Sequence, residues 1–181
     1  AEQTIDYLRD FGFTQYTGLD LPGETRGLIR SHDTIRTIEL ATTAFGQGAT
    51  ANAVQLAYAT AALGNDGARM EPILIREIRN ESGDIVLRNE PTIAHQVVSP
   101  ETARQTVTMM EAVTADGGTG TLARVPGFRV AGKTGTAQKV APEGGYSETD
   151  RIGSWIGLVP AEDPQLAIVV VIDTLRADHL G

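Results

Sequence analysis

The chain has 181 residues, 41% of them hydrophobic, no cysteine, and a formal net charge of −8. That is enough apolar chain for a buried core, and it excludes wholesale disorder, disulfides, thiolate metal sites and a cysteine nucleophile. The acidic balance argues against nucleic acid as a partner and against attraction to anionic lipid. The longest apolar run, Leu166 to Ile172, is far too short to span a membrane, and no secretory signal opens the chain.

In chain order, Ile5, Leu8 and Phe11 form a short amphipathic stretch that Gly12 ends. Residues 14–31 are turn-rich, with Pro22-Gly23 as the strongest turn signal. Residues 35–45 carry apolar positions at Ile35, Ile38 and Ala41 and predict a helix, followed by the break Phe45-Gly-Gln-Gly48. Residues 52–63 predict a buried helix. Asn52 is placed to cap it, Gln55 stands three positions later as in a capping box, and Gly64 follows the last turn. Residues 72–79 and 85–88 predict a hairpin around Asn80-Glu-Ser-Gly83. A helix over 100–114 follows, capped by Ser99 with Pro100 at its first position and Ala103, Val107, Met110 and Val113 as its stripe. Three strands close the chain, at 128–139, 155–159 and 165–173, the latter two an antiparallel pair across Pro160–Pro164; the intervening loop, 140–151, has a composition that predicts mobility. Helices followed by antiparallel strands predict an α+β fold, an antiparallel sheet packed against helices, with a helical region over about 1–114 and a sheet region over about 127–175.

Thirteen of the fifteen basic residues are arginine, and the two lysines, Lys133 and Lys139, lie six positions apart. The segment Gly127 to Thr134 matches the phosphate-loop pattern G-x-x-x-x-G-K-[ST] literally. That loop needs a buried strand before its first glycine and a helix opening near its lysine. Pro126 precedes the glycine, Phe128 and Val130 alternate as strand residues, and Gly135 stands where the helix should begin, so the sequence disfavours nucleotide binding. The other parse begins at the lysine. On a strand, Thr134 and Thr136 share a face, with the charge of Lys133 beside them and Gly135 leaving room for a ligand backbone. Two hydroxyl donors and one cation suit a carboxylate, and a strand at a sheet edge could also pair with an extended peptide.

Val130-Ala-Gly-Lys-Thr-Gly-Thr-Ala-Gln138 resembles the third active-site motif of the penicillin-binding proteins, serine D,D-transpeptidases that cross-link peptidoglycan. The resemblance runs along nearly the whole chain: Phe11-Gly-Phe13, Thr17-Gly-Leu-Asp-Leu-Pro-Gly-Glu24, Phe45-Gly-Gln-Gly48 with Gln55-Leu-Ala57, Gly118-Thr-Gly120, Gly144-Gly-Tyr146 and Ser154 to Pro160. Asn52-Ala53 departs from the usual Thr-Pro, and Lys139 with Gly144-Gly-Tyr146 is most similar to the class B, septal branch. The resemblance implies a β-lactamase/transpeptidase-like fold and no cofactor. Lys133 would bind the substrate carboxylate and tune proton transfer, and Thr134 and Thr136 would hydrogen-bond that carboxylate. The Thr136 amide would be an oxyanion-hole donor, and Gly135 would keep the strand open. Trp155 and Tyr146 would be packing and loop-rim residues.

The same resemblance predicts motifs that the chain lacks. None of Ser31, Ser82, Ser99, Ser147 and Ser154 begins S-x-x-K or S-x-N, no G-x-S-x-G elbow occurs, and His32, His95 and His179 show no pairing that suggests a triad or a metal site. The expectation is therefore the C-terminal part of a transpeptidase domain, an incomplete domain unable to acylate alone. Its partners would be peptidoglycan stem peptides, β-lactams, the N-terminal part of the same domain and division proteins, without nucleic acid or membrane contact by this segment. Its place would be periplasmic or otherwise outside the cytoplasm, on an anchor the chain lacks. The alternative is a non-catalytic penicillin-binding-like scaffold or sensor module.

Overall fold

The computed structural model describes residues 2–176 apart from 32, 44, 45, 47, 142 and 143. His32, His179, Phe45 and Gln47 lie outside the described residues. Among the described residues four α-helices form: α1 (Glu2–Asp10), α2 (Thr37–Thr43), α3 (Ala53–Gly64) and α4 (Pro100–Glu111). Seven strands accompany them: β1 (Ala68–Met70), β2 (Glu77–Arg79), β3 (Ile85–Arg88), β4 (Ile93–Gln96), β5 (Ala131–Val140), β6 (Tyr146–Val159) and β7 (Leu166–Arg176). The α+β expectation is borne out, with an antiparallel sheet β5-β6-β7 against helices and two small ribbons, β1-β4 and β2-β3.

Local chemistry sets the helix starts. The Asn52 side chain accepts from the Gln55 amide, and the Gln55 side chain accepts from the Asn52 amide, closing the capping box of α3. Ser99 caps α4 by accepting from the Thr102 amide, with Pro100 in the first turn. Between α2 and its approach, the Glu39 carboxylate takes both the Arg36 amide and the Arg36 guanidinium at 2.9 Å, with Arg30 at 3.3 Å. These cations hold the Glu39 carboxyl down at about 2.

The core lies where α3 and α4 meet the sheet. Val107, Ala131, Leu158 and Ala161 are buried together, with Leu63, Met110 and Ala167 packed on them. Leu158, 1% exposed, sits beneath the end of α3, where Gly64 has no side chain because a Cβ would fall 2.9 Å from both Leu158 and Pro164.

Four expectations need correction. Helix α3 is mostly half-buried, with Gln55, Thr60 and Ala62 its buried residues, because only part of its surface meets packed protein: Leu63 joins the core while Leu56 borders an open cleft. Strand β6 begins at Tyr146, so much of the expected 140–151 loop is strand. Pairing decides this against polar composition: Val140 lies opposite Tyr146, and Asp150 and Arg151 oppose Arg176 and Leu175. The first sheet strand begins at Ala131, three residues late, since Phe128 is engaged in a local bridge with Val125. Of residues 72–79 only Glu77–Arg79 pair, because the partner strand is four residues long, Ile85–Arg88. Strands β1 and β4 carry no clear alternation in sequence, and pair because Gly67 brings the chain against the Val98 backbone.

Candidate functional site

Strand β5 is bonded on one side only, to β6, so among the described residues its other edge is free. The register places Lys133 opposite Ile156, Thr134 opposite Trp155, Gly135 opposite Ser154 and Thr136 opposite Gly153. Side chains alternate along a strand. Lys133 and Gly135 therefore share the helix-facing side with Ile156 and Ser154, while Thr134 and Thr136 share the opposite side with Trp155. Strand continuity through Val140 removes the helix that a phosphate loop requires after its lysine.

The helix-facing side is open along this stretch. A cleft of about 410 Å³ lies between Lys133–Ala137 of β5, Ile152, Ser154 and Ile156 of β6, and Leu8, Phe13, Ile29 and Leu56 from the helical part. Its lining is largely apolar, with Lys133 exposed at its margin. The Lys133 ammonium donates to the Thr134 carbonyl at 2.7 Å, which lays the side chain along the strand. Ser154 Oγ donates to the Gly135 carbonyl at 3.4 Å, and a Cβ at Gly135 would stand 2.5 Å from that hydroxyl. A side chain at position 135 would therefore turn the Ser154 hydroxyl aside and cost that hydrogen bond.

The opposite side is set by Trp155. Its ring lies against Gly120, Gly132 and Gly157, each of which would place a Cβ inside the ring's van der Waals envelope. This bears out the packing role expected for Trp155. Tyr146 is exposed at the start of β6. Above the ring, the 117–120 loop brings the Thr119 hydroxyl 2.8 Å from the Thr134 hydroxyl. At the far end of β5, Lys139 reaches across β6 to β7, where its ammonium is 2.8 Å from both Asp173 Oδ1 and Thr174 Oγ1. The ammonium beside it holds the Asp173 carboxyl below the usual carboxylate range. The two lysines therefore diverge: Lys139 ties the sheet together and Lys133 stays at the cleft.

The approach to the site is held by a buried carboxamide. Gln55, 2% exposed, donates to the Gln15 carbonyl at 2.7 Å and the Arg26 carbonyl at 2.9 Å. It thereby joins the two ends of the turn-rich segment, which is also closed by the Glu24 carboxylate accepting from the Thr17 amide at 2.7 Å. Sequence reasoning singled out Gln55 as a helix cap and overlooked this second duty. Thr119 and Ser154 were also legible only as members of short motifs, because their partners lie 15 and 19 positions away. Among the described residues no group of three or more His, Asp or Glu side chains is placed to hold a metal ion, and no helix is long and apolar enough to cross a membrane.

Comparison with known proteins adds an independent finding. The model of the penicillin binding protein transpeptidase domain matches residues 1–179. Stage V sporulation protein D of Bacillus subtilis is 42% identical over 173 residues, covering 95% of this chain and 26% of its own length. The probable peptidoglycan D,D-transpeptidase PenA of Neisseria meningitidis serogroup A is 35% identical over 173 residues, covering 96% of this chain and 28% of its own length. Among solved structures, penicillin binding protein 3 from Mycobacterium tuberculosis complexed with aztreonam superposes with a TM-score of 0.89 at 34% identity, covering 96% of this chain and 40% of that one. Its apo form superposes equally well, with a TM-score of 0.89, covering 98% and 41%. The chain therefore spans just over a quarter of the length of these two curated relatives.

Proposed function

The chain belongs to the penicillin-binding protein transpeptidase family, on its class B, septal side, and from that premise we propose that it is part of a serine D,D-transpeptidase. The whole enzyme cross-links peptidoglycan stem peptides and is acylated by β-lactams. This chain is a C-terminal portion of the transpeptidase domain and supplies the carboxylate-binding strand. The observation that carries the reading is the free edge of β5, with Lys133, Thr134, Gly135 and Thr136 bordering a cleft of about 410 Å³.

The chemistry follows from the strand. A stem peptide or a penicillin ends in a carboxylate, an acceptor with two oxygens. Thr134 and Thr136 donate hydroxyl protons to it, and the Lys133 ammonium contributes a charge-assisted bond and tunes proton transfer during acylation. Main-chain groups two residues apart on a strand point the same way. The Thr134 carbonyl is reached by the Lys133 ammonium from the free side, which supports an outward direction for the Thr136 amide as well. That amide stabilises the oxyanion of the tetrahedral intermediate, a role worth about 3 kcal/mol per donor. The nucleophilic serine and its general base come from S-x-x-K and S-x-N motifs outside this chain, in the N-terminal part of the same domain. The domain works outside the cytoplasm, where peptidoglycan is, on an anchor outside this segment and in company with division proteins.

Labelling with a fluorescent penicillin tests the reading. The 181-residue chain alone forms no covalent adduct, and mixing with a folded N-terminal fragment bearing S-x-x-K restores labelling. In the intact protein Lys133→Ala slows acylation strongly. A stable adduct on the isolated chain, or an unchanged rate for Lys133→Ala, refutes it.

A further inference from the structure

The segment Gly118-Thr119-Gly120 is held between the end of α4 and the sheet by two close approaches. Gly118 lies over the end of α4, where a Cβ would stand 2.6 Å from the Ala112 carbonyl oxygen, and its amide donates to the Ala115 carbonyl at 2.9 Å. Gly120 is buried under the Trp155 ring, where a Cβ would stand 2.5 Å from Cζ3, and its amide donates to the Val113 carbonyl at 2.8 Å. The residue between two such anchors has little freedom. Its hydroxyl lies 2.8 Å from Thr134 Oγ1, on the side of β5 that also carries Thr136.

A hydroxyl has one proton and two acceptor lone pairs. In the pair Thr119–Thr134 either oxygen can donate while no ligand is present. A carboxylate bound at β5 removes that freedom, because it only accepts. Thr134 must spend its single proton on the ligand, and Thr119 must then donate to Thr134. Chains of hydroxyls so ordered polarise one another and strengthen the terminal bond.

We propose that Thr119 is a positioning residue, whose hydroxyl donates to Thr134 Oγ1 and commits the Thr134 proton to the substrate carboxylate. This rests on the carboxylate reading of β5 given above. The Gly-Thr-Gly spacing thereby acquires a physical meaning: two glycines bring the loop down, and the threonine between them orients one hydroxyl of the site.

The test is a double-mutant cycle in the intact protein, read as the second-order rate of acylation by benzylpenicillin. Thr119→Val keeps the shape of an exposed side chain and removes its proton, and slows acylation about fivefold. Thr119→Ser restores the rate to within about twofold. In a Thr134→Val background, Thr119→Val has no further effect, which a loop that merely unfolded or shifted would not reproduce. Equal slowing by Thr119→Val in both backgrounds, or no slowing in the presence of Thr134, overturns the proposal. If Thr134→Val itself leaves acylation unchanged, the carboxylate reading of β5 fails first, and Thr119 with it.

Discussion

Replacing Gly120 by alanine isolates one packing constraint of the site. The backbone of Gly120 has φ −120°, so alanine adds no conformational strain. The added methyl stands 2.5 Å from Trp155 Cζ3, 3.0 Å from Cη2 and 3.1 Å from Val113 Cγ1, where ordinary contact begins at 3.4 Å. The ring must therefore retreat by about 0.9 Å, and it has nowhere to go, since Gly132 on β5 already meets its other edge without a side chain. Overpacking of this kind costs about 1–3 kcal/mol, and the pinned ring places Gly120→Ala toward the upper end. Loss of glycine's freedom in the unfolded chain returns about 0.4–1 kcal/mol, leaving a net cost of about 2 kcal/mol. For a chain of this size that lowers the thermal midpoint by about 4–8 °C. Urea unfolding of the 181-residue chain followed by circular dichroism measures it. Trp155→Leu removes the obstacle, and on that background Gly120→Ala is neutral or mildly stabilising, a coupling of about 2 kcal/mol. A Gly120→Ala chain as stable as the parent, or strict additivity with Trp155→Leu, refutes the claim that the ring is held between the 120 loop and β5.

Two further perturbations follow from the same structure. Gln55→Leu keeps the bulk of a buried side chain but leaves the Gln15 and Arg26 carbonyls and the Asn52 amide without their partner. Gln15 and Arg26 are themselves exposed, so their carbonyls regain water in part, and the loss is about 1–3 kcal/mol in all, read as a lower urea midpoint with an unchanged slope. Glu39 titrates at about 2 in the folded chain against an ordinary 4.5, so its ionised form favours the folded state above about pH 4.5, and this contribution fades as the pH falls toward 2. A carboxyl-detected NMR titration reads the midpoint, and Arg36→Ala moves it upward toward the ordinary value.

Much of this molecule is legible in its residues one stretch at a time. Asn52 with Gln55, and Ser99 with Pro100, announce helix starts because a cap needs only side chains within three positions. The antiparallel pairing of β6 with β7 could be read from two apolar runs around a short proline-bounded turn. Strand β5 was recognisable from alternation and from a long family motif. What escaped are features whose partners are remote: the early start of β6, set by Tyr146 opposite Val140 of β5 and by Asp150 and Arg151 opposite β7, and the ribbon of β1 and β4, set by a glycine against the Val98 backbone. The half-exposure of α3 escaped for the same reason, since a run of alanines and leucines says nothing about what lies opposite.

The site divides along the same line. Its chemical inventory is written in the residues: one lysine, two hydroxyls and a glycine at fixed spacing, and no S-x-x-K or S-x-N to accompany them. These are covalent facts, independent of packing. What the fold adds is that this strand lies at an edge free among the described residues, that Lys133 faces the helices and Thr134 the Trp155 side, and that Lys139 is taken up by Asp173. The same holds for the Thr119 hydroxyl meeting Thr134. Strand order and register fix these outcomes, and they depend on contacts between residues far apart in the chain, which alternation within one strand does not encode.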